Sequence, residues 1–99
     1  MQNASTIERI WAMTKDLEQA AAVGEWERAT QLAMERSPLL MSLGAQPPQE
    51  FMARLRMIHE IDARIVEAAR SAQVALGSEY QASMQASRNA GRYLSMARY

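Results

Sequence analysis

Few side chains in this sequence could do chemistry. It has no cysteine and a single histidine, His59. Asp62 follows three residues later on the apolar face of a predicted helix, and a carboxylate in such surroundings can act in catalysis. A base at His59 would need a Ser, Cys or second His at workable spacing, and the sequence offers none. We therefore predict that His59 is solvated and that Asp62 pairs with an arginine of a neighbouring helix.

Composition and charge argue against several other classes of function. Without cysteines there are no disulfides or thiolate metal sites, and one histidine makes a histidine-based metal site improbable. We predict no cofactor, no metal and no enzymatic activity. Residues 1–69 carry a net charge of −3 and residues 70–99 a net charge of +3, a mild dipole that predicts no direct nucleic-acid binding. No signal pattern and no membrane-length apolar run occur, which predicts a cytoplasmic protein.

Helical periodicity predicts one all-α domain over residues 1–99, an antiparallel bundle of three main helices. The first helix, about residues 5–23, should begin at a capping box of Ser5 and Glu8 and end at Gly24. The second, about residues 25–43, follows at once and so should pack antiparallel to the first, with Trp26 against Trp11. Pro38 predicts a kink or a break near Ser37.

The third predicted helix, about residues 49–76 or longer, follows a proline-containing loop. Its apolar positions recur from Phe51 to Tyr80, a length of roughly 45 Å, against roughly 30 Å for each earlier helix. Its C-terminal part must therefore meet the chain's own tail, a second copy or a partner. The tail, residues 77–99, should be a short, marginally packed helical segment, with Gly77 and Gly91 as the expected breaks.

The eight methionines suit either a core or an adaptable binding surface. Met84 and Met96, in the weakly apolar tail, favour partner binding. Met13, Met34 and Met41 favour a place in the core. The sequence alone leaves the two interpretations balanced.

An enzymatic alternative comes from residues 55–70, LRMIHEIDARIVEAAR. This stretch resembles the long helix of the small all-helical chorismate mutases, which carry an arginine-rich ID-x-x-I pattern. Those enzymes need cations that converge on a dicarboxylate, including lysines after that helix. Here the only lysine is Lys15, and the match falls in mid-chain. We therefore favour a protein that is not an enzyme.

The whole chain resembles the FliT family of flagellar export chaperones. The resemblance rests on residues 20–40, AAAVGEWERATQLAMERSPLL, in which a Gly-Glu-Trp turn opens the second helix. The proline-bearing loop, the long third helix and the terminus NAGRYLSMARY add to it. The resemblance implies a cytoplasmic chaperone that binds the C-terminal helical segment of the filament-cap protein and hands it to the export ATPase complex. Some relatives also bind the master transcriptional activator of flagellar genes.

In this family the last helix is thought to cover part of the binding surface. The chain ends soon after Arg92, so a short last helix is expected here. Our mechanism is capture of a client helix in a groove on the third helix, with the tail closing over the groove or being displaced from it. The predicted partner-binding residues are Ile61, Ile65, Ala69, Ala72, Leu76, Tyr80, Met84, Tyr93 and Leu94. A self-associating helical protein, a homo-oligomer paired through the third helix, remains the alternative.

Overall fold

The computed structural model describes the backbone of residues 2–74 and 80–97, and the side chains of residues 5–74 and 84–97. The four α-helices in these ranges are α1 (Gln2–Ala22), α2 (Trp26–Ser42), α3 (Met52–Val74) and α4 (Tyr80–Ala97), with a 3₁₀ turn at Gln49–Phe51 before α3. No strand occurs in the part of the chain that is described. The predicted all-α bundle is confirmed.

The turn between α1 and α2 is built on Gly24. Its φ is +76°, a left-handed conformation that glycine adopts without strain. The Gly24 N–H donates to the Ala21 carbonyl, and the Glu25 N–H donates to the Ala20 carbonyl, which is the Schellman pattern of a helix end. Gly24 therefore ends the first helix, as predicted, and reverses the chain into α2.

The predicted contact between Trp26 and Trp11 is wrong because the register of the antiparallel pair forbids it. Arg36 of α2 lies beside Thr14 of α1, with 2.9 Å between Nη1 and Oγ1, so Trp11 is level with the end of α2. There it packs against the smaller buried cluster of Ile7, Ile10, Phe51 and Ile58, as Leu39 and Leu40 do. The aromatic partner of Trp26 is Tyr93 of α4.

Two predicted boundaries also need correction. The first helix begins at Gln2, so Ser5 lies inside it and is not its N-cap. The second helix continues through Pro38 to Ser42, so the predicted break is wrong, while the predicted kink stays a prediction. Pro38 and Met34 are both on the solvent side of α2, where water can bind the Met34 carbonyl that a proline leaves without a donor.

The long third helix packs against both α1 and α4, and α2 packs against α1 and α4. The helices thus form a four-helix bundle with the cyclic order α1, α2, α4, α3. The chain's own tail is the element that meets the C-terminal half of α3. α4 is 18 residues long and runs through Gly91, so the expected short segment and the expected break at Gly91 are corrected. Gly77 lies outside the described residues.

The core has two parts. The smaller cluster lies where α1, the end of α2 and the start of α3 meet, and it is built on Ile7, Ile10, Phe51 and Ile58. The larger cluster joins all four helices around Trp26, Ile61, Ile65, Ala69 and Tyr93. Because α4 contributes only to the larger cluster, the two ends of α3 have different surroundings.

Candidate binding groove

The face of α3 on which we predicted a client groove is covered by the protein's own α4. Ile61, Ile65 and Ala69 follow one another at helical spacing and are almost fully buried. Tyr93 of α4, which is 2% exposed, belongs to the same cluster. The structure therefore brings together four of the predicted binding residues, in a form in which α4 closes over the groove.

Small residues and one aromatic pair hold α4 against α2 and α3. We call the surface that α4 covers its seat; it includes Trp26, Ile61, Ile65 and Ala69. The rings of Trp26 and Tyr93 are 5.7 Å apart at an interplanar angle of 51°, a favourable tilted arrangement. Ala90 is fully buried. A Cβ on Gly91 would come within 3.3 Å of Gln73 Nε2, so the absence of a side chain there lets α4 approach α3 closely. The Ser87 hydroxyl donates to the Gln73 carbonyl at 2.8 Å.

The remaining predicted residues lie at the margin of the groove or outside the described part. Ala72 and Leu94 are half-buried and pack against the larger cluster. Met84 is half-buried as well. Tyr80 begins α4, but its side chain lies outside the described residues, and so does the whole of Leu76.

Beside the larger cluster, a partly buried ion pair joins three helices: the Arg36 side chain is 8% exposed and that of Asp62 is 29% exposed. Arg36 donates to both carboxylate oxygens of Asp62, with two distances of 3.0 Å, and its Nη1 also donates to Thr14 Oγ1. The Thr14 hydroxyl in turn donates to the Ile10 carbonyl at 2.8 Å. The prediction that Asp62 pairs with an arginine of a neighbouring helix is confirmed. A charge-assisted bidentate pair of this kind fixes orientation as well as distance.

Sequence reasoning missed Arg36, the partner in this pair. Its signal was its position: it follows Ala29 by seven residues and Ala33 by three, so it lies on the apolar face of α2. A charged residue on an apolar face predicts a buried counter-ion, and Asp62 was the other such residue in the chain. The two could have been matched from the sequence.

At the end of α4 a cleft of about 180 Å³ opens between α2, α3 and α4. Arg36 and Asp62 lie on its wall with Ser37, and Met96 and Ala97 of α4 lie at its edge. His59, which is exposed as predicted, also lines it.

The methionines are distributed differently from the prediction. Met34 is 56% exposed and Met41 is 76% exposed, so neither fills the core as expected. Met13 and Met96 are half-buried, and Met96 packs against the larger cluster at the end of α4. Flexible thioether side chains therefore lie on the surface of α2 and at the end of the groove.

These features define a small all-α bundle in which the fourth helix packs on the buried face of the third. Within the described residues, no group of three or more His, Cys, Asp or Glu side chains is placed to hold a metal, and no helix is long and apolar enough to cross a membrane.

A protein-family model described as "Flagellar protein FliT" matches residues 4–95, nearly the whole chain. The chain therefore belongs to the FliT family, a family of flagellar export chaperones and not of enzymes. No curated protein and no solved structure gives a significant match. The resemblance found in the Gly-Glu-Trp turn and the helix lengths is confirmed.

Proposed function

We propose that this protein is a cytoplasmic export chaperone for the flagellar filament-cap protein. It binds the C-terminal helical segment of that protein, prevents premature assembly and delivers it to the type III export apparatus through the export ATPase complex. A further partner in this proposal is the master transcriptional activator of flagellar genes, which some relatives bind. Family membership supports the flagellar role, and the groove on α3 supports a helical client.

One observation carries the proposal: the groove already holds a helix. α4 lies on Ile65 and Ala69 through Ala90 and Tyr93, which shows that the surface accepts a helix at close range. An amphipathic client helix would use the same small residues for its approach. Because α4 and the client compete for one surface, client binding requires that α4 leave its seat.

The test is a binding titration with the C-terminal segment of the filament-cap protein and two matched variants of α3. Ala72 is half-buried at the groove, whereas Ala68 is exposed beside α1. Ala72→Asp places a charge in the groove and should weaken binding more than tenfold, since an unpaired charge is costly to bury. Ala68→Asp should bind as the wild type does, and both should keep the helical circular-dichroism signal.

Light scattering separates this proposal from the self-associating alternative. A chaperone should form a hetero-complex of defined mass with the cap-protein segment. A chain that forms homo-oligomers and ignores the segment would contradict the proposal, as would a segment that binds Ala72→Asp unchanged.

A further inference from the structure

The cleft at the end of α4 has the size of a single aromatic ring. Its volume is about 180 Å³, whereas pockets for drug-sized molecules measure roughly 300–1,000 Å³. An engineered apolar cavity of about 150 Å³ takes up one benzene molecule. The cleft therefore has room for one ring or one large side chain of a second molecule, and not for a helix.

Apolar side chains of three helices line this cleft together with a half-buried carboxylate. Leu40 of α2, Val66 of α3 and Met96 of α4 supply apolar wall. The side chain of Arg36 is 8% exposed, whereas that of Asp62 is 29% exposed. A molecule that enters the cleft therefore reaches the carboxylate of Asp62 more readily than the guanidinium of Arg36.

The carboxylate of Asp62 can accept further hydrogen bonds. Arg36 donates one to each of its oxygens at 3.0 Å, and an ionised carboxyl group has about four acceptor sites. Because the two residues neutralise each other, a cationic ligand would bring an uncompensated charge beside Arg36, and an anionic ligand would face Asp62. The cleft thus favours an uncharged hydrogen-bond donor on an apolar body, which is the character of a phenol or an indole.

We propose that the cleft binds one aromatic ring with an uncharged hydrogen-bond donor, supplied by a tyrosine or tryptophan side chain of a protein partner. The ring lies against the apolar wall, and its O–H or N–H donates to Asp62. A protein is the source because one ring alone buries too little area to bind tightly, whereas a side chain gains from the other contacts of its own chain. This inference goes beyond the proposed function and does not depend on the cap protein.

Occupancy of the cleft should hold α4 in place, because α4 supplies part of the wall. Tyr93, Met96 and Ala97 line the cleft with residues of α2 and α3. A ligand that binds only while these walls are together stabilises that arrangement by mass action. The partner is therefore expected to slow the opening of α4.

A titration of the full chain with side-chain analogues, followed by NMR chemical shifts, tests the ring and its donor. p-Cresol represents a tyrosine side chain, and 4-fluorotoluene keeps the ring and nearly the same shape but has no O–H. We expect p-cresol to shift the amides of the cleft residues with a dissociation constant of about 1 mM. 4-Fluorotoluene should bind about tenfold more weakly, since hydrogen bonds to charged groups are the stronger ones. No binding of p-cresol, or equal binding of the two, would overturn the inference.

Two matched variants of α3 locate the site. Ala63 is exposed and lines the cleft, whereas Ala53 is exposed about 15 Å away along the helix. Ala63→Leu fills the cleft and should abolish the binding of p-cresol, while Ala53→Leu should bind it as the wild type does. Both should keep the helical circular-dichroism signal. Binding that survives Ala63→Leu would place the ring elsewhere and contradict the proposal.

Amide hydrogen exchange tests the effect on α4. Saturating p-cresol should raise the protection of α4 amides and leave that of α1 unchanged, and unaltered protection in α4 would contradict the expected hold on this helix. None of these measurements uses the cap-protein segment, so their failure leaves the proposed function standing, and the failure of the segment to bind leaves this inference standing.

Two further outcomes would assign the ring to another source. Tyr99 follows Ala97 by two positions in the sequence and lies outside the described residues. If Tyr99→Ala binds p-cresol tenfold more tightly than the wild type does, the chain's own tyrosine competes for the cleft, and the partner is overturned. A micromolar or tighter dissociation constant for p-cresol alone would indicate a free small molecule and overturn the partner as well.

Discussion

The two halves of α3 are held by different kinds of contact. From Arg54 to Arg64, polar contacts reach neighbouring helices: Asp62 pairs with Arg36 at 3.0 Å, Arg64 with Glu18 at 3.3 Å, and Arg54 with Glu8 at 3.9 Å. In the C-terminal half, α4 is held by Ala90, Tyr93 and a hydrogen bond from Ser87, and its one ion pair to a neighbouring helix among the described residues is the exposed pair of Arg92 with Glu27 of α2 at 3.6 Å. Polar pairs need specific partners, whereas small apolar contacts can be reproduced by another helix.

This difference suggests a division of labour within one bundle. We call α1, α2 and the start of α3 the frame. The ion pairs between these helices depend on partners of matching geometry, so the helices hold one another in fixed positions. α4 is held mainly by small and apolar residues, which need no partner of matching polarity. The comparison predicts that disturbing the frame affects the whole fold, while disturbing the seat affects α4 alone.

The largest effect should come from breaking the partly buried ion pair between Arg36 and Asp62. Asp62→Leu leaves the Arg36 charge buried without its partner, which should lower the free energy of unfolding by about 3 kcal/mol or more. The double variant Arg36→Met/Asp62→Leu should recover most of the loss because no buried charge remains. Urea unfolding followed by circular dichroism measures both. A single variant as stable as the wild type would show that the pair does not hold the frame.

The frame was the more predictable region from sequence. Gly24, the antiparallel α1–α2 pair and the arginine partner of Asp62 follow from local patterns: a helix-ending glycine, a short turn and a charge on an apolar face. The pairing of Trp26 with Tyr93 did not follow, because it joins residues 67 positions apart and depends on the register of α4. The close packing of α4 was missed for a related reason: its Ala and Gly residues give little apolar signal, yet they allow near contact with α3.

The charged residues of α3 also show that contacts between helices are harder to predict from sequence than contacts within one helix. Intrahelical pairs between Glu and Arg four residues apart are readable from the sequence. In the structure Arg54 and Arg64 instead reach α1, and Arg54 also lies 4.5 Å from the centre of the Trp11 ring. Interhelical partners depend on which helix is the neighbour, and spacing within one helix does not contain that information.

A smaller and more local loss of stability should follow from placing a larger side chain between α4 and the helices it packs against. Ala90 is fully buried, and Ala90→Leu adds volume where none is free, at a cost of about 1–3 kcal/mol. We expect amide hydrogen exchange to accelerate in α4 while the amides of α1 and the first half of α3 keep their protection. Ala53→Leu, at an exposed position of α3, is the matched control. Equal loss of protection in all four helices would remove the distinction between frame and seat.

The smallest effect concerns a surface ion pair at the edge of the frame. A hydrogen bond from Lys15 is the largest cause that lowers the pKa of Glu18 below its usual 4.5; burial opposes it, and a weaker hydrogen bond from Arg64 lowers the pKa further. A carboxyl with a lowered folded-state pKa stabilises the fold fully above pH 4.5 and loses that contribution as the pH falls through the folded-state pKa. Exposed pairs contribute only a few tenths of a kcal/mol, so the loss should be slight.

Comparing urea midpoints of the wild type and Glu18→Gln across that range measures this contribution. The two proteins should differ above pH 4.5 and converge at lower pH, since a protonated Glu18 resembles glutamine in charge. Glu67, which pairs with Arg70 near the seat, gives the matched variant Glu67→Gln. If its contribution to the free energy of unfolding equals that of Glu18, directional charge pairs matter as much beside α4 as beside α1. A larger contribution from Glu18 would show that charge pairs stabilise the frame more than the region beside α4. The physical reason is that Glu18 joins two helices, whereas Glu67 pairs within α3.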